Sequence, residues 1–292
     1  MAIDKIVIIG AGTMGQGIAR TIAETGTEVV LYDLSDEILK KSLDFVSDSL
    51  DREIEKWGIT KSEKKAILSR IKTSTDVKIA RKARVIIEAI PESLEMKREL
   101  FKQLDELCPP ETVFISNTST LSITQLASAT NRPQMFIGMH FLNPVHKIPM
   151  VELVRGLKTS TETYAFTQDF AVKLNKKPIP VNEYPGYVTT RIIVPFLNEA
   201  MHVLMEGISS AEEIDNAMKL GFGFNMGPLA LADMMGLDEV MAMMENLLNE
   251  LSEHKYNPCP LLRKLVRAGH LGVKTGQGFF KYDEDGNRIE GA

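Results

Sequence analysis

The stretch Ile6-Val-Ile-Ile-Gly10-Ala-Gly12-Thr-Met-Gly15-Gln-Gly17 begins with four apolar residues and ends in a cluster of glycines. The apolar run predicts a buried strand, and a helical pattern follows from about Met14 to Glu24. A GxGxxG turn between a strand and a helix is typical of a dinucleotide-binding domain. This stretch therefore decides the fold class of the first half of the chain.

The glycines of this turn have distinct predicted roles. Gly10 permits the tight turn, Gly12 lets a pyrophosphate approach the backbone, and Gly15 lets the helix pack against the strand. The phosphates would lie at the helix N-terminus beside Thr13 and Met14, where free N–H groups and the helix dipole favour an anion. A glycine turn that binds no nucleotide is the alternative.

The end of the second predicted strand favours one cofactor. The strand ends Val30-Leu-Tyr-Asp33, which places a carboxylate 18 residues after Gly15. An acidic residue there accepts hydrogen bonds from the ribose hydroxyls and repels a 2′-phosphate. Because no arginine follows Asp33 closely, NAD is favoured over NADP, and FAD is a further alternative.

Short apolar runs alternate with amphipathic stretches through the first half of the chain. The strand-length runs are Ile6–Ile9, Val29–Tyr32, Val85–Ile90, Val113–Ile115 and Phe136–His140. This alternation predicts an α/β fold, in which a doubly wound Rossmann domain at residues 1–184 has a parallel sheet with helices on both faces.

The long connection after Asp33 predicts an inserted helical hairpin before a strand near Ile71. A three-and-four spacing relates its apolar positions, which are Leu39, Leu43, Val46, Leu50, Ile54 and Trp57. Gly58 interrupts this helix, and Thr60-Lys-Ser-Glu63 has the form of a capping box that opens another. The opposite face carries Lys40, Lys41, Asp44, Ser49, Arg52 and Lys56, and a solvated face is its simplest interpretation.

The pattern changes after Pro185-Gly186, which predicts a domain boundary there. The helical patterns beyond it are Tyr187–Glu206, Ser210–Leu220, Pro228–Leu251 and Pro260–Ala268. Residues 185–292 are therefore predicted to form an all-α C-terminal domain.

Composition argues against several functional classes. The net charge is −5 with the two signs interspersed, so no general field attracts nucleic acid or an anionic membrane. The two cysteines, Cys108 and Cys259, form no CxxC pair, which argues against a disulfide framework or a structural zinc site. No signal-peptide pattern and no apolar run of about 18–20 residues is visible, so we expect a cytoplasmic protein.

One of the five histidines stands where a catalytic base is needed. Oxidation of an alcohol by NAD requires a base for the hydroxyl proton, and histidine suits that role near neutral pH. His140 ends a predicted strand, and ligands bind at the carboxyl ends of strands in doubly wound folds. A buried structural histidine is the alternative, and no suitably spaced ligand set predicts a metal.

Three further motifs resemble the 3-hydroxyacyl-CoA dehydrogenase family, most closely its short bacterial 3-hydroxybutyryl-CoA dehydrogenases. They are Ser116-Asn-Thr-Ser119-Thr-Leu-Ser-Ile, Gly138-Met-His140-Phe-Leu-Asn143-Pro-Val and Pro149-Met-Val-Glu152-Leu-Val, and the similarity extends to Lys274-Thr-Gly-Gln-Gly-Phe-Phe-Lys-Tyr282.

The resemblance implies a role for each matching residue. His140 would be the general base, Glu152 its orienting partner, and Ser119 a hydrogen-bond partner of the substrate oxygen that also touches the cofactor. Further NAD contacts are implied at Asp33, Glu92, Lys97, Asn143 and Lys274. Ser49 and Lys56 match CoA contacts, so the hairpin would bind the acyl-CoA substrate. The resemblance also implies that the α-helical domain, residues 185–292, serves substrate binding and forms a homodimer.

The chain departs from the family pattern at Thr190. The family has asparagine where Pro185-Gly-Tyr-Val-Thr-Thr190-Arg191 stands, and a hydroxyl cannot offer the two donors of a carboxamide. Beside oxidation of a short-chain (S)-3-hydroxyacyl-CoA, three alternatives remain. These are a carboxylated acyl-CoA substrate, a free 3-hydroxy acid resembling gulonate or carnitine, and an NAD-binding module without turnover.

Overall fold

The computed structural model describes residues 5–289 and divides into two units, one ending at Tyr184 and the other beginning at Pro185. The first unit is built on an eight-stranded sheet in the order β3-β2-β1-β4-β5-β6-β7-β8. The strands are β1 (Ile6–Ile9), β2 (Val29–Tyr32), β3 (Ile71–Ser74), β4 (Val85–Glu88), β5 (Val113–Ser116), β6 (Phe136–Phe141), β7 (Met150–Arg155) and β8 (Lys177–Asn182).

The first six strands pair in parallel, as predicted, but the sheet is not parallel throughout. Strand β7 runs antiparallel to β6, and β8 is parallel to β7. The loop from 142 to 149 is too short for a helical crossover, so the chain can only turn back. The sequence patterns missed β8 because it contains Pro178 and Pro180, which an edge strand tolerates.

Helices of the first unit pack on both faces of the sheet. Side chains such as Ile18 and Ile22 pack with the strands on one face, and Phe101, Phe114 and Phe136 form an aromatic cluster on the other. The helices are α1 (Thr13–Glu24), α2 (Asp36–Glu55), α3 (Lys61–Arg70), α4 (Leu94–Leu107), α5 (Ile123–Ala127) and α6 (Thr161–Lys173), with 3-10 turns at Val77–Lys82 and Pro133–Met135.

Helices α2 and α3 form the predicted hairpin. The Thr60 hydroxyl accepts a hydrogen bond from the Glu63 N–H, and the Glu63 carboxylate accepts one from the Thr60 N–H, so the capping box is confirmed. The prediction for Trp57 was wrong. Helix α2 ends at Glu55, and Trp57 follows it with a φ of 59° and a side chain that is 95% exposed.

The second unit is helical. Its helices are α7 (Thr189–Met205), α8 (Ala211–Phe222), α9 (Pro228–Met235), α10 (Leu237–Leu251) and α11 (Pro260–Arg267). A 3-10 segment, His254–Tyr256, lies between α10 and α11, and a second, Val273–Thr275, follows α11. The predicted continuous stretch Pro228–Leu251 is two helices, because Gly236 takes a φ of 97° between them. Within residues 5–289, no helix is both long and apolar enough to cross a bilayer.

Candidate active site

The polar residues singled out by sequence lie mainly at one edge of the first unit. The parallel strands β1, β2, β4, β5 and β6 end there, and their carboxyl ends lead into the glycine turn, Asp33, Glu92, Ser119 and Asn143. In a doubly wound sheet this edge is where ligands bind.

The backbone packs too closely around Gly10 and Gly15 to admit a side chain, whereas Gly12 borders open space. A Cβ at Gly10 would lie 2.6 Å from the Ala89 carbonyl oxygen, and one at Gly15 would lie 1.8 Å from the Gly10 oxygen. A Cβ at Gly12 would meet nothing within 4 Å. The turn therefore has no room for a side chain at Gly10 or Gly15, whereas the space beside Gly12 is open.

The start of α1 suits an anion. The N–H groups of Thr13, Met14 and Gly15 are in the first turn, where a helix has no internal acceptors, and among the described residues no side chain caps it. Asp33 lies against the turn, since its Oδ2 accepts a hydrogen bond of 2.8 Å from the Ala11 N–H. An open turn, unfilled donors and a neighbouring carboxylate fit the pyrophosphate and ribose of NAD.

Glu92 holds the loop that carries Ser119. Its Oε1 accepts hydrogen bonds from the Ser119 and Thr120 N–H groups at 2.9 and 3.0 Å, and from the Thr118 hydroxyl at 2.5 Å. Burial alone would raise the pKa of Glu92, but the charge of Lys97 and these hydrogen bonds outweigh it and lower that pKa. Glu92 is therefore an ionised anchor for the loop.

Lys97 lies beneath this loop rather than at its surface. Its side chain is 2% exposed, and its Nζ lies 2.5 Å from Glu88 Oε1 and 3.2 Å from Glu92 Oε2. Burial would lower the pKa of Lys97, but the two carboxylates outweigh it and raise that pKa. For Glu88 the balance is reversed, since complete burial raises its pKa more than Lys97 and Ser116 lower it. The ammonium thus joins the end of β4 to the Ser119 loop.

His140 and Glu152 form the predicted pair. The Nδ1 of His140 lies 2.7 Å from Glu152 Oε2, and the two residues face each other across β6 and β7. His140 is 5% exposed and Glu152 is fully buried. Because the carboxylate accepts a hydrogen bond from Nδ1–H, we assign the basic lone pair of the neutral ring to Nε2.

The other predicted site residues are dispersed. Asn143 is exposed in the loop after β6, and Ser49 and Lys56 are on or just after α2, half-buried and exposed respectively. In the second unit, Thr190 is buried in the first turn of α7, and Lys274 pairs with Asp238 at 2.7 Å.

Sequence reasoning missed several residues that support this edge. Glu88 binds Lys97 and Ser116, and the Asn117 side-chain oxygen accepts the Phe141 N–H at 2.9 Å. A carboxylate that ends the otherwise apolar run Val85-Ile-Ile-Glu88 was the available signal for Glu88. Asn117 had no such signal because its partner is 24 residues away in the chain.

Two family models cover nearly the whole chain. Residues 5–184 match the NAD-binding domain of 3-hydroxyacyl-CoA dehydrogenase, and residues 186–282 match the C-terminal domain of the same family. The predicted Rossmann fold, the helical second part and NAD as cofactor are thereby confirmed.

Similar proteins agree with these matches. A probable 3-hydroxybutyryl-CoA dehydrogenase of Bacillus subtilis (strain 168) is 47% identical over 284 residues, which are 97% of this chain and 99% of the relative. The 3-hydroxybutyryl-CoA dehydrogenase of Clostridioides difficile is 43% identical over 96% of this chain and 100% of its own. The crystal structure of the (S)-3-hydroxybutyryl-CoA dehydrogenase of Ralstonia eutropha has a TM-score of 0.87 and 46% identity, over 97% of this chain and 100% of that one. The chain therefore belongs to the 3-hydroxyacyl-CoA dehydrogenase family.

Proposed function

We propose that this chain oxidises a short-chain (S)-3-hydroxyacyl-CoA, with 3-hydroxybutyryl-CoA as the expected substrate, to the 3-oxoacyl-CoA, and catalyses the reverse reaction. The buried His140–Glu152 pair carries the proposal, because it supplies an oriented base at the edge of an NAD-binding sheet. Relatives named for this activity are 43–47% identical over nearly the full length, which supports the acyl-CoA over a free 3-hydroxy acid.

His140 moves the proton in this reaction. Its Nε2 accepts the proton of the 3-hydroxyl, and the Glu152 carboxylate stabilises the imidazolium that results. When bound, NAD⁺ supplies the acceptor for the hydride of C3. In the reverse direction the imidazolium returns its proton to the 3-oxo oxygen.

Ser119 and the glycine turn orient the reactants. The Ser119 loop is fixed through Glu92, so its hydroxyl has a defined place from which to hydrogen-bond the substrate oxygen. The N–H groups of Thr13, Met14 and Gly15 would hold the pyrophosphate, and Asp33 the ribose. The Lys97 ammonium is buried and paired with Glu88 and Glu92. We therefore propose that Lys97 supports the NAD site by holding Glu92 and makes no direct contact with the cofactor.

Outer contacts complete the proposed sites. Ser49 and Lys56 on the hairpin would bind CoA, while Asn143 and Lys274 would contact NAD. Thr190 replaces the family's asparagine in positioning the substrate oxygen. A lost hydrogen bond costs about 1 kcal/mol, so Thr190→Asn should raise the rate constant of hydride transfer about fivefold in single-turnover measurements with acetoacetyl-CoA.

We also propose a cytoplasmic homodimer that forms through the second unit. Four large apolar side chains on or near α7 and α8 are more than 60% exposed: Ile192, Ile208, Leu220 and Phe222. Such a concentration is unusual for a monomer surface and suits a subunit interface. Sedimentation of the wild type and of Leu220→Asp tests this assignment, since a monomeric wild type would contradict it.

The direct test of the activity follows NADH absorbance with acetoacetyl-CoA, with free acetoacetate and with a carboxylated 3-oxoacyl-CoA. The proposal predicts oxidation of NADH that depends on the short-chain CoA ester. Turnover of the carboxylated thioester alone, or of free acetoacetate alone, would establish one of the alternative substrates. If the protein binds NADH but turns over none of these three substrates, the NAD-binding module without turnover would be the supported alternative.

A further inference from the structure

Arg20 is a buried arginine that contacts the hairpin. It lies on α1, is 2% exposed, and pairs through Nε with Glu24 at 2.7 Å and through Nη2 with Glu53 at 2.5 Å. Its remaining terminal nitrogen, Nη1, donates a hydrogen bond of 2.6 Å to the Ser49 hydroxyl oxygen. The guanidinium is therefore held by three acceptors, two of which are on α2.

The contact from Arg20 sets the direction of the Ser49 hydroxyl. A guanidinium can only donate hydrogen bonds, so the Ser49 oxygen must accept and its own proton stays available. On the same helix the Ser42 hydroxyl instead donates to backbone carbonyls, since the oxygens of Ala11 and Ile38 are both within hydrogen-bond distance. Within residues 5–289, Ser49 Oγ has no hydrogen-bond partner other than Arg20. Ser49 is half-buried and can thus present its proton to a ligand.

The surroundings of Ser49 do not favour a phosphate. Arg20 faces two carboxylates, and the nearby His146 is not a cation at neutral pH, because burial and the charge of Arg20 lower its pKa to about 4. A cavity of about 500 Å³ borders this network, and its lining has three glutamates against two arginines. A neutral acceptor, such as an amide carbonyl, suits a hydroxyl donor here better than an anion does.

We propose that Arg20 is a positioning residue for the acyl-CoA, which turns the Ser49 hydroxyl proton toward a carbonyl oxygen of the pantetheine arm. This inference rests on the proposed function. The phosphates of CoA are then held elsewhere, by exposed cations such as Lys56. Arg20 itself touches no substrate and acts through Ser49.

The test compares acetoacetyl-CoA with acetoacetyl-pantetheine, which lacks the phosphates and adenosine. The variants are Arg20→Lys, Ser49→Ala and the double variant. Arg20→Lys keeps a cation between the carboxylates but has one nitrogen for three acceptors. Arg70→Lys is the matched control, because Arg70 also contacts α1, through the Ala23 carbonyl, without touching Ser49. Thermal unfolding of each variant checks that it is folded.

Either single variant should raise KM about three- to tenfold for both thioesters, with kcat and the KM for NADH changed less than about twofold. The double variant should be no worse than Ser49→Ala, and Arg70→Lys should resemble the wild type. A KM effect confined to the full CoA ester, additive effects, or an unchanged KM in Arg20→Lys would overturn the inference. Wild type that turns over neither thioester would refute the proposed function itself.

Discussion

His140 and Glu152 are direct partners in the antiparallel ladder between β6 and β7, and their side chains meet at 2.7 Å on the same face of the sheet. Cross-strand partners hold their Cβ atoms about 5 Å apart, so the backbone itself brings imidazole and carboxylate into hydrogen-bond range. The unpredicted β7 strand therefore orients the imidazole that we propose as the base. A catalytic pair built on two strands is more rigid than one carried by loops.

Replacing Glu152 with glutamine tests this relationship. The carboxamide nearly preserves the shape but cannot stabilise the imidazolium, so kcat should fall about 10²- to 10⁴-fold. The measurement is the rate of NADH oxidation with acetoacetyl-CoA under saturating conditions. The dissociation constant of NADH should change little, since Glu152 is buried within the sheet. A kcat within threefold of the wild type would contradict the assigned role.

The buried Lys97 should stabilise the first unit through charge. In Lys97→Met, Glu88 loses its cation while it remains fully buried, and breaking such a pair costs about 3–5 kcal/mol. Urea unfolding of Lys97→Met measures this loss in the free energy of unfolding. The double variant Glu88→Gln/Lys97→Met removes the fully buried one of the two carboxylates that lose Lys97, and it should therefore recover part of the lost free energy. A loss below about 1 kcal/mol in the single variant would show that the pair is dispensable.

Local patterns predicted the parts of the fold that local forces determine. The capping box at Thr60–Glu63 and the strand–turn–helix at Gly10–Gly15 were correct because each depends on residues a few positions apart. The β7 and β8 strands were missed because their existence follows from pairing. Pro178 and Pro180 are acceptable only where β8 forms the edge of the sheet, which no local pattern reveals.

The candidate site also contains residues that the sequence predicted and one that it did not. Sequence motifs and the family resemblance suggested His140, Glu152, Ser119 and Glu92. In the first unit His140 pairs with Glu152, and Glu92 binds the Ser119 loop. The motifs and the resemblance gave no sign of Arg20, whose partners Ser49 and Glu53 are 29 and 33 residues away. Because tertiary packing determines which residues contact a buried charge, the contacts of Arg20 cannot be predicted from local sequence.

The hairpin offers a direct signal for substrate binding. Trp57 is the single tryptophan of the chain, is 95% exposed, and follows the exposed Lys56. If the hairpin binds CoA, titration with CoA should change tryptophan fluorescence, and Lys56→Ala should weaken binding about fivefold through one lost contact to a phosphate. Lys40→Ala, an exposed lysine near the start of α2, is the control and should bind as the wild type does. Fluorescence that is insensitive to CoA would place the substrate away from the hairpin tip.

Asp233 should make stability depend on pH. It is 1% exposed and accepts hydrogen bonds from the Phe279 and Phe280 N–H groups and the Tyr282 hydroxyl. Burial raises the pKa of Asp233 from 3.8 to about 6, although these hydrogen bonds oppose the rise. The folded chain therefore takes up a proton between pH 6 and 4 that the unfolded chain does not, so the contribution of Asp233 to the free energy of unfolding increases as pH falls through this window.

The difference between the two pKa values of Asp233 corresponds to about 3 kcal/mol at most. Urea unfolding at pH 6.5 and 4.5 measures this contribution as the difference between the wild type and Asp233→Asn, in which no carboxyl can titrate. The wild type should gain stability relative to the variant as pH falls. Asp285→Asn, at an exposed position, should instead parallel the wild type. Equal pH slopes for the wild type and Asp233→Asn would mean that the surrounding N–H groups hold Asp233 as a carboxylate throughout this range. Its contribution to the turn at Phe279–Tyr282 would then be independent of pH.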